Sequence, residues 1–161
     1  MSVNATTALN VYEGETVTAL TIDGDQSILY IADTGAKTID SIQYDHRELD
    51  KSKDDIGLVE TLYHQVHNLE YVTSLAVDFM GNIFWSLEEN GLEDGVIMRA
   101  PADDPNPTAA KIISKTLDAA YSLCYTQGFL FYAGKETAIE TVETVANIEE
   151  QPAELVATDD D

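Results

Sequence analysis

Short runs in which every second side chain is apolar punctuate this chain, and the runs repeat. Val17-Thr18-Ala19-Leu20-Thr21-Ile22-Asp23 returns as Val72-Thr73-Ser74-Leu75-Ala76-Val77-Asp78, and more loosely as Ala120-Tyr121-Ser122-Leu123-Cys124-Tyr125-Thr126. Each copy leads through a short turn, Asp23-Gly24-Asp25, Gly81-Asn82 or Gln127-Gly128. Those residue types tolerate the backbone angles of a hairpin. A second apolar run follows each turn: Leu29-Tyr30-Ile31-Ala32, Ile83-Phe84-Trp85-Ser86 and Leu130-Phe131-Tyr132-Ala133. Third runs centre on Ile39, Ile97 and Ile139, and fourth runs occupy Leu58 to Leu62, Lys111 to Lys115 and Ala153 to Ala157. A period of two sends alternate side chains to opposite faces of a sheet, so these segments are predicted to be β-strands.

The matching leucines, Leu20, Leu75 and Leu123, recur about every 50 residues, the spacing of a repeated four-stranded blade. The pattern therefore predicts an all-β chain of three antiparallel β-propeller blades, at about 16–64, 71–117 and 119–157. Residues 1–7 are read as an N-terminal extension and 158–161 as an acidic tail. Ala8-Leu9-Asn10-Val11-Tyr12 has the character of a fourth strand, and it precedes Leu20 as the run at Ile112 precedes Leu123. A closing strand is expected at 8–12. Propellers need about four to eight blades, so three form half of a six-bladed disc. A second copy, a different chain or the rest of a longer polypeptide would supply the others. Without them both end faces would expose apolar surface. Tyr30, Trp85, Phe131 and Tyr132 are read as packing between blades rather than as a ligand platform. The acidic stretch Asp45 to Asp55 and the segment Pro101 to Pro107 are read as solvent loops.

The second-strand motifs resemble those of the six-bladed YWTD (low-density-lipoprotein-receptor) and NHL repeat groups. Leu29-Tyr30-Ile31-Ala32-Asp33-Thr34-Gly35, followed by Thr38-Ile39-Asp40-Ser41-Ile42, carries the likeness best. In the second copy Leu87 stands where Asp33 stands in the first, with Glu88 next, and the third copy departs further at Gly134. The resemblance implies a recognition scaffold that binds another protein, outside the cell or at its surface. It is also similar to the gluconolactonase and strictosidine-synthase propellers, which implies, as an alternative, a Ca²⁺-dependent hydrolase or lactonase.

Charge narrows the partners. The 161 residues carry 30 Asp and Glu against 8 Lys and Arg, a net charge of −22. Nucleic acid and anionic membrane surfaces are gripped by Lys and Arg and would be repelled. No apolar run approaches the roughly 20 residues of a membrane span. The acidity suits a solvated surface, a salty medium, a basic partner or Ca²⁺, which takes oxygen donors. Asp23, Asp33, Asp78, Glu88, Glu89 and Asn90 fall near strand ends and are the Ca²⁺ candidates; no other cofactor is indicated. Glu88 to Gly95 is the densest acidic turn but lacks the spacing of an EF-hand loop. His64-x-x-His67 would present its rings on opposite faces of a strand, so both are read as surface histidines. No Gly-rich phosphate loop, serine nucleophile elbow or paired-cysteine motif occurs, and no catalytic residue is assigned. The lone Cys124 excludes an intrachain disulfide and is read as a buried, inert thiol. Asn4-Ala5-Thr6 fits a glycosylation acceptor, whereas the first residues lack a secretory leader, which fits a cytoplasmic chain or one numbered after processing.

Overall fold

The computed structural model describes residues 10–44, 58–64, 66, 68–88, 95–103, 105–116, 120–134 and 139–143. Strands β1 (Val17–Asp23), β2 (Ile28–Asp33), β3 (Thr38–Gln43) and β4 (Val59–Tyr63) form one antiparallel meander. A second consists of β5 (Val72–Val77), β6 (Asn82–Glu88), β7 (Gly95–Pro101) and β8 (Lys111–Thr116). In the third sheet β9 (Ser122–Thr126), β10 (Phe129–Ala133) and β11 (Ile139–Glu143) pair in order. The strand expected at 153–157, the tail at 158–161 and the acidic stretch 45–55 lie outside the described residues. The chain is all-β and built of the expected blades, numbered 1 to 3 below.

The expected closing strand takes a different form where it is described. Residues 8 and 9 lie outside the described set, and Asn10 to Tyr12 run as irregular backbone. Asn10 Oδ1 accepts the Tyr12 N–H (3.3 Å), a local bond of the kind that competes with strand pairing. The Tyr12 hydroxyl donates to Asp40 Oδ2 (2.6 Å). The segment is thus fastened to blade 1 through a side chain.

Each hairpin has its own turn chemistry. Asp23 Oδ1 accepts the N–H groups of Asp25 and Gln26, and Asp78 Oδ1 accepts those of Met80 and Asn82. The third turn lacks an equivalent acid and instead places Gln127 and Gly128 at φ 49° and 86°, the left-handed pair of a tight hairpin.

Because side chains alternate, every blade has two faces, and blade 2 is covered on both. Leu75, Ile83, Trp85 and Met98 meet Tyr30, Ile39 and Tyr63 of blade 1 in one core. Ala76, Phe84 and Ile97, on the opposite face, meet Leu123, Leu130 and Tyr132 of blade 3 in another. Trp85 lies 5.7 Å from Tyr63 between ring centroids, and Phe84 stacks on Tyr125 at 5.9 Å. The Tyr63 hydroxyl donates to the Pro101 carbonyl across the first seam. The reading of Tyr30, Trp85 and Tyr132 as packing between blades holds, while Phe131 is only half-buried.

A polar tie repeats beside this apolar contact. The pairing of β1 with β2 shifts register between Val17 and Ala19, and that of β5 with β6 between Val72 and Ser74. Each shift frees a threonine. Thr18 Oγ1 donates to the Val72 carbonyl (3.0 Å), and Thr73 Oγ1 donates to the Ala120 carbonyl (2.6 Å). These acceptors occupy equivalent places in successive blades.

Cys124 corrects the sequence expectation. It lies in β9 but is exposed, because Leu123 and Tyr125 turn toward blade 2 and the alternation leaves Cys124 on the opposite face.

Trp85 fills the first seam while its Nε1 has no hydrogen-bond partner. Trp85→Ala is expected to cost about 3–5 kcal/mol in urea unfolding, and Trp85→Phe, which keeps an aromatic ring and removes the unpaired donor, distinctly less.

Candidate functional site

The acidic residues near strand ends sort into two separate groups. Asp23 and Asp78 stand at the β1–β2 and β5–β6 turns, whereas Asp33 and Glu88 close the far ends of β2 and β6. Asp23 pairs with Ile28, five residues before Asp33, so the two ends of a blade are roughly 17 Å apart along the strand. One ion cannot be shared between them. Glu89 and Asn90 lie outside the described residues, as do Asn4 and His67; His64 is exposed. Among the described residues no group of three or more His, Cys, Asp or Glu is placed to hold a metal ion.

Within each group the carboxyls are engaged locally. Asp78 adds a bond from the Asn82 side-chain amide (2.7 Å) to its two from backbone N–H groups, and its own N–H donates to the Asn82 carbonyl. Glu88 Oε1 accepts the Tyr121 hydroxyl at 3.3 Å, linking blade 2 to the segment entering blade 3.

The most elaborate polar constellation joins Asp33 to Asp40, a residue the sequence reading left unassigned. Asp33 Oδ1 accepts the N–H groups of Thr16 (2.8 Å), Gly35 (3.1 Å) and Ala36 (3.1 Å). Its Oδ2 accepts the Glu15 N–H (2.7 Å) and the Tyr12 hydroxyl (3.3 Å). Burial opposes the charge on Asp33, but the backbone donors of Thr16, Ala36 and Glu15, with Tyr12, outweigh it and hold the carboxyl below the usual range. The Tyr12 phenol moves the other way: loss of solvent and then the adjacent Asp40 and Asp33 raise it well above its ordinary value. Asp40 Oδ2 also accepts the Thr38 hydroxyl (3.0 Å), while its buried Oδ1 has no partner.

The chain before β1 is thus a strap wrapped around two buried acids. A Cβ at Gly14 would lie 2.3 Å from Asp33 Oδ2, so the close approach requires glycine. In the repeat, Asp33 and Asp40 occupy the places of Leu87 and Met98, which are core residues in blade 2. One signal was available in the sequence: two acids at places where the next copy is apolar. The chemistry this arrangement performs is fastening, since both Asp33 oxygens are filled by N–H and O–H donors.

No protein-family model matches the chain, and no curated protein does. Solved structures do match. A luciferin-regenerating enzyme aligns over 75% of this chain and 38% of its own, at 17% identity and a TM-score of 0.54. The blades are those of a β-propeller. A chain of a nidogen/laminin complex aligns over 80% of this chain and 60% of its own, at 16% identity and a TM-score of 0.48. This chain therefore spans less than two thirds of the length of either propeller-like match.

Two outcomes follow for the strap. Tyr12→Phe is expected to lower unfolding stability by about 1–3 kcal/mol, since it strips a donor from a buried carboxyl. Asp33 has a lower pKa in the folded chain than the roughly 3.9 of an unfolded one, so its contribution is complete above that value and lost as pH falls through the folded value. Urea unfolding from pH 6 to pH 2 should show Asp33→Asn less stable than the parent at the upper end, with the gap narrowing in acid.

Proposed function

We propose that this chain is a non-catalytic binding or assembly subunit, a partial propeller whose open end faces are covered by another chain or copy. One observation carries the reading. Leu20, Leu75 and Leu123 are equivalent, and each points toward the preceding blade; their exposures are 62%, 4% and 8%. Ile39, Ile97 and Ile139 point toward the following blade, with exposures of 0%, 0% and 75%. The same position is buried wherever a neighbouring blade exists and open where none is described. Ile22 and Phe129 extend the open apolar surface at the two ends. Surfaces of this kind mark places of protein association.

The engagement of both oxygens of Asp33 and of Asp78 by N–H donors supports the same reading, because oxygens filled by donors are poor ligands for Ca²⁺.

A second reading is a Ca²⁺-dependent hydrolase or lactonase, favoured by the alignment with a luciferin-regenerating enzyme. A Ca²⁺ ion at 100 times its Kd would stabilise the fold by about 2.7 kcal/mol. The assembly reading expects no rise of the melting midpoint on adding Ca²⁺ and no hydrolysis of simple lactones or esters. It also expects protein isolated from its source to run above the single-chain mass. Ca²⁺-dependent turnover that disappears in Asp78→Asn would replace it with the enzymatic reading.

A further inference from the structure

Resting on that assembly reading, we infer that the chain's partner is a second copy of itself, docked head to tail, with the outer face of blade 3 in one copy packing on the outer face of blade 1 in the other. The seam between blades occurs twice within the chain, and its two halves are unlike. One half presents the Leu75, Ile83 and Trp85 positions, and the other presents the Tyr30 and Ile39 positions. The second seam repeats the division, with Leu123, Leu130 and Tyr132 against Phe84 and Ile97.

The open ends carry part of each half. Blade 1 presents Leu20 and Ile22, the equivalents of Leu75 and Val77, with Val59 beside them on the outer strand. Blade 3 presents Phe131 and Ile139, the equivalents of Phe84 and Ile97, with Phe129 and the exposed Cys124. The middle of the blade 1 face is already covered, since Ile31 and Ile42 are buried, so the open part lies along its inner and outer strands.

Complementary halves on one molecule do not bury one another when like meets like. They do so when blade 3 of one copy meets blade 1 of the next. A two-fold axis through the centre of the disc and perpendicular to it makes that contact twice and closes the ring at six blades, within the range propellers adopt. The charge of −22 on each copy opposes the contact, and salt screens that repulsion while leaving apolar burial in place. Self-association is therefore favoured by salt.

The purified full-length chain, measured by sedimentation at about 0.1 M and about 1 M NaCl, is expected to run at twice the single-chain mass, more completely at the higher salt. Leu20→Asp and Ile139→Asp, each on an exposed position, are expected separately to weaken association about 100-fold or more by placing a charge in both seams. Mixing the two variants should restore pairing, because one seam of the mixed pair then holds the parent residues on both sides. A folded parent chain that stays single at both salts would overturn the inference, as would variants that still pair or a mixture that does not. If the purified chain is single while protein from its source runs in a larger assembly, self-pairing fails and the assembly reading stands. Single chains in both would overturn both.

Discussion

A sheet whose two faces are both apolar must be covered on both sides, and that requirement organises everything else in this chain. Blade 2 meets it internally, with Trp85 and Leu75 on one face and Phe84 and Ile97 on the other. Burying a side chain of that size is worth roughly 1.5–3 kcal/mol, so each seam outweighs the polar ties beside it, which are worth about 1 kcal/mol apiece. The ties set alignment. Thr18 and Thr73 each reach a carbonyl at the start of the next inner strand, so successive blades are fixed in height as well as in contact.

How much of this is legible in the sequence depends on the range of the interaction that decides each feature. Strand positions follow from alternation and turn residues within a few positions, and the predicted runs at Leu29, Ile83 and Leu130 all became strands. Copy-to-copy alignment also revealed which residues share a face. Closing-strand behaviour did not follow, because Tyr12 is held by the carboxyls of Asp33 and Asp40, more than twenty residues away. Alternation alone could not show that Cys124 lies on a face left open, because that depends on what stands beyond blade 3.

The acids show the same limit from the other side. Proximity to strand ends marked Asp23, Asp33 and Asp78 as oxygen donors; in the structure both oxygens of Asp33 and of Asp78 accept hydrogen bonds from their own turn or the strap, and Asp23 accepts two through Oδ1. Backbone N–H groups at a turn compete with ions for the same carboxyl oxygens, and they are already in place. Asp40 was overlooked because it sits mid-strand, yet it holds the buried oxygen that lacks a partner. The strap exists because blade 1 carries these acids where blade 2 carries Leu87 and Met98: an apolar neighbour cannot cover Asp33 and Asp40, and a segment offering N–H and O–H groups can.

That exchange also shapes what remains open. Part of the blade 1 face is closed by polar contacts with the chain's own strap, leaving Val17, Leu20, Ile22 and Val59 as its apolar exposure among the described residues. At the other end Tyr121 stands where Thr18 and Thr73 stand, and its hydroxyl turns back to Glu88 of blade 2. The tie that aligns the two internal seams is therefore not repeated at the outer one. The contact proposed there would rest on apolar area against the repulsion between two chains of net charge −22. It would be weaker and more responsive to ionic strength than the internal seams, so that association would be separable from folding.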